Sequence, residues 1–390
     1  MATYVSCGIT TISTIVHIIA RCMKRLLIVS DPPAAPGYLP RVRFLCDYLV
    51  RKGFDVTLLT EEYQPLSFVH SYPIKTIRMY SGGTVDWFCK TVWTLLSDWH
   101  NRVFANHFLQ QSGHTTQAAY DLVLCSAFSD FPLGAALRIA QAFNVPLICD
   151  IRDLDEQVDN SRYQYRHRQK WLMPFRRLYR AIHIRRRNKV LRAADSITTV
   201  SPWHADFIRQ FNPNVHVLYN GFDAAQFYPE NIPVERFTIT YIGSLFEWQQ
   251  PALKIVKQAI RELNNPDIHL EIHTPHSNPI PHDQLGDAIR RSSIMLVLTA
   301  PNTHGMLTTK FYEALGCAKP ILCVPSDYGS LAELIQYTNA GLAGTNVTEV
   351  MNFILDKYHE WQDNGFTRQS VKNAKIFTRQ FQSEQIEKLL

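Results

Sequence analysis

From Leu26 onward the chain alternates between short apolar runs and longer stretches in which apolar residues recur every three or four positions. LLIVS (26–30) leads through DPPAAPGYLP into RVRFLCDYLVRKG (41–53) and then FDVTLLT (54–60). Apolar runs of that length read as buried strands, and the stretch between them reads as an amphipathic helix. The theme continues with TVDWFCKTVWTLLSDWHNRVFANHFLQQ (84–111) as helix, LVLCSA (122–127) as strand, PLGAALRIAQAFN (132–144) as helix and VPLICDIRD (145–153) as strand. ADSITTV (194–200) is a further strand. Ser201-Pro202 caps and starts a helix through Gln210, and VHVLYNGFD (215–223) ends in an Asn220-Gly221 turn. Strands that alternate with helices predict parallel sheets with crossover helices, an α/β fold.

The second half repeats the pattern. FTITYIGSL (237–245) is followed by PALKIVKQAIREL (251–263), which turns Leu253, Val256, Ile260 and Leu263 to a core and leaves Lys254 and Lys257 in solvent. The strands IHLEIHTP (268–275) and IMLVLTA (294–300) are separated by an unusually brief interval. Gly305 to Pro325 then reads as a loop, a short helix, a turn and a buried strand. Thr308 and Thr309 are good caps, Lys310, Glu313, Ala314 and Cys317 share one face, and Gly316 is a natural stop. Ser330 and Glu333 form a capping box for the next helix, and TRQSVKNAKIFTRQFQSEQIEKLL (367–390) reads as a terminal helix.

At 390 residues the chain exceeds the size at which one core usually stops growing, so two domains are expected. Hydrophobic residues make up 46% of it, and no run is long enough to span a bilayer. Val5 to Ala20 is apolar but interrupted by Ser, Thr and His17. It reads either as an extension outside the fold ahead of a natural start at Met23 or as a membrane-touching segment. The eight cysteines are scattered without a Cys-x-x-Cys pair, which fits reduced, buried thiols in a cytoplasmic protein. His269, His273, His276 and His282 lack the spacing of a metal site.

The net charge of +6 gathers between Arg162 and Lys189, where basic residues interleave with Trp171, Phe175, Leu178, Tyr179 and Ile182 and no acid intervenes. Three readings stand for that run: an anionic membrane surface, a plain solvated face, and nucleic acid, for which no fold signature accompanies it.

Candidate chemistry gathers at strand ends, where ligands of open α/β sheets bind. The loop after the first strand carries only Gly37, so there is no Gly-x-Gly-x-x-Gly fingerprint and a nicotinamide cofactor is not supported. Asp150 and Arg152 fall on the same side of an extended segment, either as site residues beside Asp153 or as a structural ion pair. Gly243 and Ser244 end a strand where backbone can approach a phosphate. The helix that starts at Thr308-Thr309 points free N–H groups and a partial positive charge at whatever lies before it. Lys310 adds a cation. Glu313 lies about one turn inside, positioned either for a ribose or for a surface lysine.

The stretch from 305 to 325, with Glu313-Ala314-Leu315-Gly316 and Lys319-Pro320-Ile321-Leu322, resembles the carboxy-terminal signature of retaining GT-B glycosyltransferases, in particular glycosyltransferase family 4. Asn220-Gly221-Phe222-Asp223 with Phe227 is similar to the turn that in this family marks the passage between domains, and Tyr241-Ile-Gly-Ser244 to its second-domain opening. The resemblance covers roughly Met23 to the end. It implies two Rossmann-like domains facing a cleft, at 23–230 and 231–365, with a helix at 366–390 crossing back, and residues 1–22 outside. It implies transfer of a sugar from a nucleotide-diphosphate sugar with retention and no cofactor or metal, to a lipid-linked or saccharide acceptor in surface polysaccharide or glycolipid synthesis.

The same resemblance implies site roles. Gly243, Ser244, Thr308, Thr309 and Glu313 would bind the donor, Lys310 would serve the leaving group, Asp150 or Arg152 would face the sugars, and Asn220 and Gly37 would form the cleft turns. Departures are Gly305 where the family carries its first acid, Ser244 and Gln249-Gln250 in place of its basic pair, and an interval before Ile294 short by one strand and helix. The expected location is cytoplasmic, peripheral on the inner membrane face through 162–189. A nucleotide-sugar epimerase or hydrolase on the same scaffold and a non-catalytic binding subunit are the alternatives.

Overall fold

The computed structural model describes residues 23–30, 40–62, 70–79, 84–112, 119–127, 130–157, 173–300 and 305–390. The expectations for residues 1–22, for Gly37 and for 162–172 lie outside these residues. The chain forms two parallel sheets. Among the described residues one has seven strands in the order β3 (Ile74–Ile77), β2 (Asp55–Glu61), β1 (Arg25–Ser30), β4 (Leu122–Ala127), β5 (Leu147–Ile151), β6 (Ser196–Thr199) and β7 (Val215–Val217), and the other has five in the order β12 (Gly341–Ala343), β11 (Ile321–Val324), β10 (Ile294–Leu298), β8 (Phe237–Ile242) and β9 (Ile268–His273). The chain divides into two compact units, residues 1–150 with 186–196 and 390, and residues 151–185 with 197–389.

In chain order the first sheet is built from β1 (Arg25–Ser30), α1 (Pro40–Arg51), β2 (Asp55–Glu61), β3 (Ile74–Ile77), α2 (Thr84–Ser97), α3 (Trp99–Gln111), β4 (Leu122–Ala127), α4 (Leu133–Phe143), β5 (Leu147–Ile151), α5 (Met173–Ala193), β6 (Ser196–Thr199), α6 (Pro202–Ile208) and β7 (Val215–Val217). Ser30 of β1 is in register with Thr60 of β2 and Ser126 of β4, which sets a row of hydroxyls across three carboxyl ends. The helical stretch read over 84–111 is two helices, because Asp98 takes a left-handed backbone (φ 55°) between them. β3 went unread because IKTI is short and half polar.

The second sheet runs through β8 (Phe237–Ile242), α7 (Gln250–Leu263), β9 (Ile268–His273), α8 (Leu285–Arg291), β10 (Ile294–Leu298), α9 (Thr309–Gly316), β11 (Ile321–Val324), α10 (Ser330–Thr338), β12 (Gly341–Ala343), α11 (Val347–Asn364) and α12 (Arg379–Glu387). Period-2 alternation serves both faces. Ile239, Tyr241, Leu296 and Leu322 pack with Leu253, Val256 and Ile354, while Met295, Val297 and Cys323 pack with Phe311, Leu315 and Leu331. No strand lies between β9 and β10, only a single helical turn at His282–Gln284 and α8. β9 is therefore a sheet edge.

Three local expectations change. α10 starts at Ser330 after Gly329, and the carboxylate of Asp327 accepts from the N–H groups of Gly329, Leu331 and Ala332, so Asp327 does the work expected of Ser330 and Glu333. The left-handed residue after α9 is Ala318 (φ 52°), and Gly316 is needed for a different reason: a Cβ there would stand 2.6 Å from the Phe222 ring. The terminal stretch is helical only at Ala374–Phe377 and α12. Before that, Gln369 N–H donates to Ala318 O and Lys372 N–H to Thr338 O, so its backbone bonds go to neighbouring elements.

Candidate active site

α9 begins as its sequence dictates. Thr308 is extended (φ −74°, ψ 146°), its hydroxyl accepts from Lys310 N–H at 3.4 Å, and Thr309 is the first helical residue. Among the described residues the N–H groups of Thr308 and Thr309 have no partner. Thr309 is exposed at the helix start. Lys310 lies half-buried beside them, with its ammonium 5.3 Å from the centroid of the Tyr241 ring.

Gly243 explains how the ammonium gets there. Its φ of 128° is left-handed, and a Cβ on it would stand 2.8 Å from Lys310 Cε and 2.9 Å from Nζ. The Lys310 stem thus passes through space that only glycine leaves open. Gly243 itself is held by N–H donation to His273 O at 2.8 Å. The Tyr241 hydroxyl donates to Ser244 O at 2.7 Å, and Gln249 accepts from Phe246 N–H and donates to Leu298 O. Gln249 is therefore a strut for this turn, and Ser244 is exposed.

Burial lowers the pKa of Lys310, opposed by the charge of Glu313. Burial raises that of Glu313, opposed first by Arg379 of α12 and then by Lys310. Glu313, one turn inside the helix, thus feels the charge of two cations. Lys310 Nζ makes no hydrogen bond or ion pair among the described residues. A half-buried ammonium with no hydrogen bond or ion pair of its own, two open N–H groups and a helix N-terminus together form an anion site.

Gly305 (φ 61°) lies against α6. A Cβ there would stand 2.8 Å from Ser201 Oγ and 2.9 Å from His204 Nδ1, two atoms that are themselves 2.6 Å apart. No side chain fits without displacing that buried pair. The turn at Asn220 has a packing role: Phe222 N–H donates to Phe377 O, Arg379 N–H donates to Phe222 O, and a Cβ on Gly221 would stand 2.7 Å from Phe377 O. Asn220 itself is half-buried.

In the first unit, Asp150 is buried and accepts from Arg41 at 2.9 Å and from Ser126 Oγ at 2.8 Å. Its ion pair with Arg41 was not legible, since 109 residues separate the two. Arg152 is buried at the start of the second unit, and Asp153 is exposed. Sequence reading also missed Glu61, buried at the end of β2 with Oε2 3.3 Å from His100 Nε2, and its stack of His100 on Phe131 at 3.9 Å. Among the described residues Ser30 Oγ, Thr60 Oγ1 and Glu61 Oε1 are buried without hydrogen-bond partners at the same strand ends.

Part of the basic run is structural. Arg186 donates to Thr94 O and Leu95 O, both at 2.7 Å, at the end of α2, and Arg180 donates to Asp155 O. Arg177 and Arg185 are exposed, as are Phe175, Leu178 and Tyr179. Among the described residues no helix is long and apolar enough to cross a membrane, and no group of three or more potential ligands could hold a metal ion.

Residues 41–226 match the family model of Glycosyltransferase Family 4. That match places the glycosyltransferase class on this chain. No curated protein matches it in sequence. Among solved structures, the fold is similar to Anabaena HepE in complex with UDP and glucose, at TM-score 0.61 and 14% identity over 94% of this chain and 99% of that one. WaaG, a glycosyltransferase involved in lipopolysaccharide biosynthesis, gives 0.55 and 10% over 94% and 99%. A putative UDP-N-acetylglucosamine 2-epimerase from Listeria monocytogenes gives 0.52 and 12% over 93% and 95%. The architecture is that of the GT-B fold.

Proposed function

We propose that this chain transfers a sugar from a nucleotide-diphosphate donor to a saccharide or lipid-linked acceptor, with retention, and that the diphosphate is held at the start of α9. The observation that carries this reading is Lys310, an ammonium with no hydrogen bond or ion pair among the described residues, threaded past Gly243 to the mouth of a helix. As the glycosidic bond breaks, the diphosphate leaves with the bonding electrons. A positive charge and N–H groups already aimed at that position stabilise the transition state more than the ground state. Glu313 accepts from the ribose, and the charge Lys310 supplies makes a metal unnecessary. UDP is the first base to try, because HepE was solved with UDP-glucose.

In the first unit, Asp150, held by its pair with Arg41, is assigned to the acceptor sugar. Arg152 shares that role. The exposed Phe175, Leu178 and Tyr179, spaced three and four apart beside Arg177, favour contact with an anionic membrane, which would supply a lipid-linked acceptor of surface polysaccharide synthesis.

The test is UDP release from UDP-sugars with and without a panel of saccharide and polyprenyl-phosphate acceptors, on the wild type and Lys310→Ala. Acceptor-dependent release that falls at least 100-fold in the variant supports the reading; equal release from both proteins overturns it. A second reading is a nucleotide-sugar epimerase, favoured by one observation, the Glu61–His100 pair, which could take and return a proton. A converted nucleotide sugar formed without acceptor would establish it.

A further inference from the structure

The face of β8 and β9 that looks away from α7 is unlike the rest of its sheet. On β10 and β11 the same face carries Met295, Val297, Ile321 and Cys323, all buried in an apolar cluster. On β8 it carries Thr238 and Thr240, with Ile242 at the strand end reaching that cluster, and on β9 His269, Glu271 and His273. Strands of a parallel sheet are usually apolar on both faces because helices cover both. Here the short connection from β9 to β10 supplies only α8, whose Ala288 and Arg291 line one side, and a groove of about 490 Å³ runs over β8 and β9.

The chemistry of that groove is specific. Thr240 forms part of its lining, and the Thr240 hydroxyl is buried without any hydrogen-bond partner. A buried hydroxyl left without a partner carries an uncompensated desolvation cost, so such a group calls for a ligand. Around it stand Glu271, whose carboxylate is 3.5 Å from His273 Nε2, and Arg291, which also reaches Asp287 at 3.3 Å. His273 Nδ1 is 3.0 Å from Asn278 O. Glu235 and Arg236 complete the charged lining, so two acids face two guanidinium groups and no ion of either sign is selected. Ile280 and Val234 give the walls an apolar part.

We propose that this groove is a second ligand site, one for a neutral saccharide. A sugar ring presents vicinal hydroxyls that both donate and accept, which is what a carboxylate, a guanidinium and a threonine hydroxyl demand together. Its C–H faces suit Ile280 and Val234. A volume near 490 Å³ falls within the usual range of small-ligand pockets. A peptide strand would instead pair with the free edge of β9, which lies beside the groove rather than in it. The choice of saccharide over other neutral polar ligands rests on the transferase reading; the groove itself does not.

Isothermal titration of the full chain with maltotriose and with chitotriose, paired with hydrogen-exchange mass spectrometry, tests this. Binding of at least one trisaccharide is expected, with protection confined to residues 233–240 and 268–292. Thr240→Val, which keeps shape and removes the hydroxyl, is expected to weaken that binding at least fivefold, and Glu271→Gln likewise. UDP affinity, measured on the same samples, stays unchanged in both variants. Absence of binding by both sugars, equal affinity in the variants, or protection of these residues by inorganic phosphate alone overturns the proposal. Loss of UDP binding in the wild type would instead count against the α9 site, so the two failures are distinguishable.

Discussion

Gly243 and Lys310 fit together as a groove and its occupant: the lysine stem fills the space where a Cβ would stand, 2.8 Å from Cε. Two segments 67 positions apart are thereby joined to aim one ammonium at the mouth of α9. Gly243→Ala must both strain a left-handed backbone, at about 1 to 3 kcal/mol, and push the flexible end of Lys310 aside. The expected outcome is a loss of UDP affinity of tenfold or more with a smaller loss of stability, read by titration and by denaturant unfolding. Unchanged affinity would remove Lys310 from the site.

Lys310 also gives the site a pH dependence. Burial lowers its pKa below the ordinary 10.5, so the folded protein loses this proton before the unfolded chain does. Between the two values the unfolded state binds more protons, and this group's contribution to stability rises with pH. Donor affinity moves the other way, because only the ammonium attracts diphosphate. UDP binding is therefore expected to weaken as pH rises through the lowered value and to take up a proton there, seen as a buffer-dependent heat. Lys310→Arg, which stays charged, should flatten both.

Glu313 tests the ribose assignment independently. Its carboxylate feels the charges of Arg379 and Lys310, so Glu313→Gln removes an acid that both cations sense while keeping the shape. The wild type is expected to prefer UDP over 2′,3′-dideoxy-UDP by about tenfold, on the order of one hydrogen bond to a charged group. In Glu313→Gln that preference should vanish, even where overall affinity changes little. A preference that survives the substitution would place the ribose elsewhere.

The parts of the fold that depend on neighbours in sequence were legible. Strand runs, the Thr308 cap and the Ser201-Pro202 start were readable because each uses residues within one turn of each other. The site was half legible for the same reason. Thr308, Lys310 and Glu313 announce a helix end, but nothing local says that Gly243 makes room for Lys310, or that Arg41 meets Asp150. Gly316 misled because glycine at a helix end has a local explanation, whereas its actual constraint is the distant ring of Phe222. Glu61 and His100 were invisible because their pairing is purely tertiary.

Gly305 yields a stability prediction with a definite sign. Aspartate is among the residues that tolerate a left-handed backbone, so φ 61° alone would not forbid it. The Ser201–His204 pair does, since a Cβ would stand 2.8 Å from one and 2.9 Å from the other. Gly305→Asp is therefore expected to destabilise by about 1 to 3 kcal/mol, the range of overpacking in a filled core, and to disrupt the cap of α6. Denaturant midpoints with an unchanged slope would report it. A neutral or stabilising result would mean that the loop can lift away from α6.

Lys319 offers the opposite sign. It is buried, its Nζ donates to Thr367 O at 3.0 Å, and burial pushes its pKa down to about 8, opposed by Cys317 and Glu360. At pH 7 the lysine is charged in both states, and the folded protein bears the cost of holding that charge out of water. From pH 8 toward 10.5 the unfolded chain keeps the proton while the folded protein has lost it, so this group's contribution to stability rises with pH across that window. Lys319→Met removes the charge and one hydrogen bond and keeps most of the volume. It is expected to stabilise the protein at pH 7 by about 1 to 3 kcal/mol, as replacing a buried ion by an apolar side chain often does. The advantage should shrink toward pH 10, where wild-type Lys319 is neutral when folded. Chemical unfolding of both proteins at pH 7 and pH 9.5 measures the difference, and a gap that widens at the higher pH would show that the Thr367 hydrogen bond outweighs the buried charge.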